Sequence, residues 1–274
     1  MYNLLKIEWL KIKSYRAFIV LSLFFVIGVF LSNYIPFLIN KNIINKVNTA
    51  GLVSSFSPYN FSNTWQTTSY FTGFLLILPA MLIIILVTNE YTYKTVRQNI
   101  IDGWSRAEFI DVKLVIALII TVISTILVIF TALGFGLASG TEFSLNKFSH
   151  VGFFFLKSLS YNLIAILVSV LIKRTGFAIG VYFIYLGAEN VIAQLLDFWS
   201  LKLRLDKNID LGSMGDYLPM NASDGLLTFP DNPLKQIAKS TLPTDYFYVV
   251  ISLAIIYIFL FIFVSRKKFL NADL

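Results

Sequence analysis

Long apolar runs alternate along the chain with short polar breaks. "AFIVLSLFFVIGVFLSNYI", "FTGFLLILPAMLIIILVT", "LVIALIITVISTILVIFTALGFGLA" and "YVVISLAIIYIFLFIFV" approach or exceed the roughly 20 helical residues that cross a bilayer. Two further runs are interrupted by Lys157, Glu189 and Asp197 and separated only by "IKRTG", a tight basic turn suited to antiparallel helices. The pattern predicts six spans at Ala17–Ile35, Tyr70–Thr88, Val112–Ala138, Val151–Ile172, Gly176–Asp197 and Tyr246–Val264. No internal repeat stands out, so residues 1–274 read as one transmembrane domain.

The breaks carry their own signals. "MYNLLKIEWLKIKSYR" forms a helix with Tyr2, Leu5, Trp9 and Ile12 in one narrow arc and its lysines outside it. Residues 1–16 therefore read as a helix lying along the membrane surface, or else as an extension of span one. The outer loop Pro36–Ser69 is rich in Asn, Ser and Thr. In the second long loop, 198–244, "WSLKLRLD" alternates like a strand. "DNPLKQIAKSTLP" reads as a short helix capped by Asn232, started at Pro233 and stopped by Pro243. That helix either re-enters the outer leaflet or lies solvated.

Composition fixes the class. The chain of 274 residues is 57% hydrophobic and 14% charged, where a soluble domain carries about 25% charged residues. The expected fold is all-α and integral to the membrane. A polar segment precedes span one and no small-residue cleavage site follows it, so that span is expected to stay in the mature protein. The net charge of +7 comes from cations that flank spans, which serves topology rather than nucleic-acid binding. With the N-terminus inside, thirteen Lys and Arg fall on inner segments and eight on outer ones. Both termini are therefore expected in the cytoplasm. The absence of cysteine and the single histidine, His150, argue against a metal site or a histidine-based membrane protease. No G-x-x-x-x-G-K-[ST] loop is present, so no nucleotide or other cofactor is expected on this chain.

The segment "NEYTYKTVRQNIIDGWSRAEFIDVK", residues 89–113, has four acids against four bases, unlike a loop that only sets topology. Gly103 can end a helix in the left-handed conformation, and Ser105 with Glu108 has capping-box spacing before span three. A short helix at about Glu90–Ile101 is predicted flat against the inner membrane face, with Val96 and Ile100 toward the membrane or the bundle and Lys94, Arg97 and Gln98 toward the cytoplasm. With the aromatics Tyr91, Tyr93 and Trp104 it reads either as a docking knob for a soluble partner or as a plain link.

This segment resembles the one that follows the second span in permease subunits of type-2-class ATP-binding-cassette exporters, on Glu90, Thr95, Arg97, Ser105, Arg106, Glu108 and Lys113. Lys94 stands where glycine is common in that family. "KIEWLKIKSYR" is similar to its N-terminal interface helix, and "RKKFLNADL", with Phe269, Asp273 and Leu274, to its C-terminal tail. The resemblance implies that residues 89–113, with Trp104 at the turn, form a coupling helix seated in a separate cytoplasmic ATPase subunit that binds the ATP. It also implies a second permease subunit, identical or related, and a bacterial plasma-membrane location. The chain itself would not be an enzyme.

Lys157 and Glu189 lie about 9 Å and about 12 Å below the outer ends of their spans at 1.5 Å per residue. Ionisable groups at membrane depth are functional candidates. They are expected either to pair, or to line a polar route between subunits, or to serve packing, with Lys157 snorkelling outward. Pro79 and the "LGFGLASG" run permit a kink and close helix contact.

Overall fold

The computed structural model describes residues 2–41, 57–230 and 246–272. Regular structure among them is entirely helical: α1 (Tyr2–Lys13), α2 (Arg16–Ile39), α3 (Phe61–Gly73), α4 (Ile77–Thr92), α5 (Thr95–Ile101), α6 (Arg106–Ala138), α7 (Ser149–Ile172), α8 (Thr175–Lys207), α9 (Asn221–Asp224) and α10 (Phe247–Leu270), with 3-10 turns at Phe74–Leu76 and Met214–Tyr217. Six helical stretches are long and apolar enough to cross a membrane: α2, the continuous Phe61–Thr92 run, α6, α7, α8 and α10. They answer one for one to the six predicted spans. The helix predicted over residues 232–242 lies outside the described residues.

The helices are longer than their apolar cores. Polar residues 61–69, expected in a loop, form the first part of α3, where Thr64, Gln66, Thr67, Thr68 and Ser69 are buried. Hydroxyl back-bonding makes this affordable. Thr64, Thr67 and Thr68 donate to the carbonyls of Asn60, Asn63 and Thr64 at 2.9, 3.0 and 2.8 Å, so they need no outside partner. Pro79 cannot donate to the carbonyl of Leu75, and the chain tightens into the 3-10 turn at Phe74–Leu76 directly before it. "WSLKLRLD" is not a strand: α8 continues through it to Lys207. Its alternation gives way to helix because Ser200 and Ala193 sit on one buried face. In the small-residue run only Gly136 meets a neighbour closely; a Cβ there would lie 2.8 Å from the Phe61 ring.

The core sits around α7, which packs against α3, α4, α6, α8 and α10. Phe154, Leu163, Ile164, Ala165 and Ile166 of α7 are buried in the largest apolar cluster. α2 lies at the edge and exposes Phe24, Phe30 and Ile35, as a lipid-facing helix does. One end of the bundle carries α1, α5, the turn at Lys173–Arg174 and the end of α10. The opposite end carries the inserted segment 211–229.

Candidate functional site

At the first end, residues 89–113 fold as helix, turn and capped helix, but the boundaries differ from those expected. α4 continues through Glu90 to Thr92, and only Thr95–Ile101 forms the separate helix α5. Lys94 begins α5 with φ 58°. A left-handed backbone costs a non-glycine residue about 1–2 kcal/mol. Seven residues are too few for a stable isolated helix, so α5 depends on its anchors. Val96 is buried. At the far end Gly103 has φ 103°, and the amides of Gly103 and Trp104 donate to the carbonyls of Ile100 and Asn99 at 3.1 and 3.0 Å, a Schellman closure. Ser105 and Glu108 form the predicted capping box: the Glu108 amide donates to Ser105 Oγ at 3.1 Å and the Ser105 amide to Glu108 Oε2 at 2.9 Å.

Most of the residues expected to face a partner are bound up in this scaffold. Thr95 Oγ1 donates to the Glu90 carbonyl at 3.3 Å. Arg106 donates to the carbonyls of Leu270 and Ala272, both at 3.1 Å, and holds the C-terminal turn, where Phe269 stacks on Phe109. Tyr91 and Trp104 are half-buried rather than exposed, with Lys173 and Lys11 over their rings at 5.5 and 5.9 Å. Outward-facing positions are Tyr93, Lys94, Arg97, Gln98 and above all Ile101, which is 84% exposed.

Glu90 is buried as well. Lys113 Nζ lies 2.5 Å from Glu90 Oε1 and 2.5 Å from Glu8 Oε2, while Lys11 Nζ lies 2.9 Å from Glu8 Oε1 and 3.6 Å from Glu90 Oε1. Two carboxylates and two ammonium groups thus join α1, α4 and α6 in one neutral cluster. Sequence reasoning passed over Glu8 and Lys11. The inward face of α1 is Glu8 and Ile12, four residues apart and both buried, whereas Trp9 points outward. A lone acid one helical turn before a buried isoleucine was the available signal.

Burial opposes the charge on Glu8, but Lys113 and Lys11 outweigh it and hold its carboxyl below the ordinary value of 4.5. Burial likewise opposes the Lys11 charge, and Glu90 and Glu8 outweigh it and raise its pKa. For Glu8 the folded pKa is depressed, so its contribution is complete above the unfolded value and is lost as pH falls through the folded one. The expected result is that a spin label at exposed Ile7 gains mobility as pH falls below 4.5 and Glu8 takes up its proton. A label that stays immobile well below that pH would contradict the cluster's role in seating α1.

At the opposite end, Lys157 and Glu189 do not pair with each other. Each holds the inserted segment instead. Glu189, buried on α8, accepts the amides of Met220 at 2.5 Å and Asn221 at 3.0 Å. Lys157 on α7 lies 3.3 Å from Asp224 Oδ1, and Tyr161 donates to Asp224 Oδ2 at 3.0 Å. Further ties run from Gln66 Nε2 to the Thr228 carbonyl at 3.0 Å, from Tyr257 to the Tyr217 carbonyl at 2.8 Å, and from the Gly215 amide to Asp197 Oδ1 at 2.8 Å. Segment 211–229 is thus drawn between α3, α7, α8 and α10. Asp224 and the backbone of 220–221, the true partners, fell in a loop with no periodic signal to align it with the spans.

No group of three or more His, Asp or Glu among the described residues could hold a metal ion. In comparison with known proteins, no protein-family profile matches the chain and no curated protein matches it in sequence.

Proposed function

We propose that the chain is the membrane-spanning subunit of an ATP-binding-cassette exporter of the type-2 class. It works in a bacterial plasma membrane with both termini in the cytoplasm. A separate ATPase subunit hydrolyses ATP, and a second permease subunit, identical or related, completes the path for a peptide, antibiotic, lipid or similar cargo. The observation that carries this reading is α5: a seven-residue helix fixed at both ends, anchored by Val96, presenting Arg97 and Ile101 outward, with Tyr93 exposed just before it. An exposed apolar residue on an otherwise over-determined hairpin fits a docking contact.

The mechanism follows from the connections. Force applied to α5 passes into α4 directly and into α6 through the Schellman turn and capping box. Lys113 then ties both to α1. A soluble ATPase that closes on ATP would move these three helices together relative to α7.

Co-purification tests it. A stoichiometric ATPase subunit is expected with the wild-type chain. Ile101→Glu combined with Arg97→Glu should lower its recovery about tenfold or more, as loss of an interface anchor does, with insertion unchanged. Equal recovery and equal ATPase stimulation in the variant would reduce α5 to a link. Consistent absence of any ATPase would leave a non-transporting membrane scaffold as the better reading.

A further inference from the structure

Around α5 the structure holds a basic cavity that shares Arg97 with the proposed ATPase contact. Its volume is about 710 Å³, and it is lined by Lys94, Arg97, Lys173 and Arg174 together with Val96 and Ile172. A second, of about 460 Å³, shares Lys173 and adds Lys267 and Lys268 over Val170 and Leu171. Six cations therefore ring two lobes that share one lysine. Among the described residues on the wall the one carboxylate, Glu90, already has Lys113 at 2.5 Å and Lys11 at 3.6 Å.

We propose that this two-lobed cavity binds the phosphate of an anionic phospholipid. Depth supports it. Lys173 and Arg174 form the two-residue turn between α7 and α8, and Lys267 and Lys268 lie in the last turn of α10. These cations stand where apolar spans end, the level of lipid headgroups. The walls support it too. The second lobe sets Val170 and Leu171, the latter 54% exposed, beside Lys173, Lys267 and Lys268, which matches an acyl chain below a phosphate. An acidic protein segment would set its backbone polar groups against Val170, Leu171 and Ile172 without partners. Arginine offers paired donors to phosphate and lysine a point charge, and basic pockets between spans recognise anionic headgroups in this way.

Lys94 and Lys173 have φ 58° and 57°, a region that favours glycine, so glycine fits either position. The inference goes beyond the transport reading and does not depend on it.

The test uses the full chain in nanodiscs of phosphatidylcholine and phosphatidylglycerol, with retained lipids counted by native mass spectrometry. Wild type is expected to retain phosphatidylglycerol in preference to phosphatidylcholine. Lys94→Gly with Lys173→Gly relieves both strained positions, so the fold should persist. The preference should fall about fivefold per cation and about 25-fold for the pair. Equal retention of the two lipids by wild type, or an unchanged preference in the double variant, would overturn the proposal. So would thermal stabilisation of detergent-solubilised protein by inorganic phosphate as strong as that by phosphatidylglycerol, which would make free phosphate the ligand. Loss of ATPase recovery in the double variant with lipid retention intact would assign the cavity to a protein partner and equally overturn it.

Discussion

Lys113→Met is expected to remove most of the native protein from the membrane. Lys113 and Glu8 have side chains only 3% exposed, and Glu90 is 9% exposed. With Lys113 in place the cluster is neutral. Without it, Lys11 alone faces two buried carboxylates and a net charge of −1 remains. Breaking a buried ion pair from one side costs about 3–5 kcal/mol, against a total stability of about 5–15 kcal/mol for a typical protein. The loss therefore consumes a large share of what holds α1, α4 and α6 together. The same physics predicts a rescue. Glu8→Gln and Glu90→Gln added to Lys113→Met remove both buried carboxylates and leave only Lys11, whose side chain is 37% exposed, and neutral replacement of buried charges is often tolerated. Membrane level and thermal unfolding of the purified protein check both. The exposed Arg266–Asp111 pair, at 3.1 Å, supplies the contrast, since surface pairs are worth about 0–1 kcal/mol. A Lys113→Met protein that accumulates and melts like wild type would show that the cluster is incidental.

The architecture was legible in the sequence because lipid imposes a one-dimensional signal. A span must be a continuous apolar run, and the six runs are there to be read. Caps were legible for a similar reason: Ser105, Glu108 and Gly103 act through their immediate neighbours, so spacing alone predicts them. What sequence could not supply were contacts between distant elements. Glu8 reaches Glu90 and Lys113 only after α1 folds back against α4 and α6. Lys157 and Glu189 were recognised as costly charges at depth, yet their partners, Asp224 and two backbone amides, come from an aperiodic loop. The polar start of α3 was misread for another reason. Threonine hydroxyls that bond to their own helix look identical, in sequence, to those of a solvated loop.

Glu189→Leu is expected to undock segment 211–229 while leaving the six spans in place. Glu189 is 5% exposed and receives the amides of Met220 and Asn221 at 2.5 and 3.0 Å. An orphaned buried donor costs about 1–3 kcal/mol, and more when its lost partner was charged. Two are orphaned here. Opposing that loss are the ties from Gln66, Lys157, Tyr161, Asp197, Ser200 and Tyr257 and the burial of Met220, Ala222, Leu226 and Leu227. The chain has no cysteine, which makes the measurement clean. Ser223 is fully buried, so Ser223→Cys should resist a maleimide in the wild-type background and react readily beside Glu189→Leu. Glu189→Gln keeps an acceptor oxygen for one amide and should give an intermediate rate. It also keeps the test decisive if the leucine variant fails to accumulate. Lys157→Met should raise reactivity too, by stripping Asp224 of its cation at 3.3 Å. Because both residues hold one segment, their effects should not add. A Ser223→Cys thiol that stays unreactive in folded Glu189→Leu and Glu189→Gln proteins would mean that the remaining ties hold the segment by themselves, and that the buried carboxylate serves only to satisfy the amides it touches.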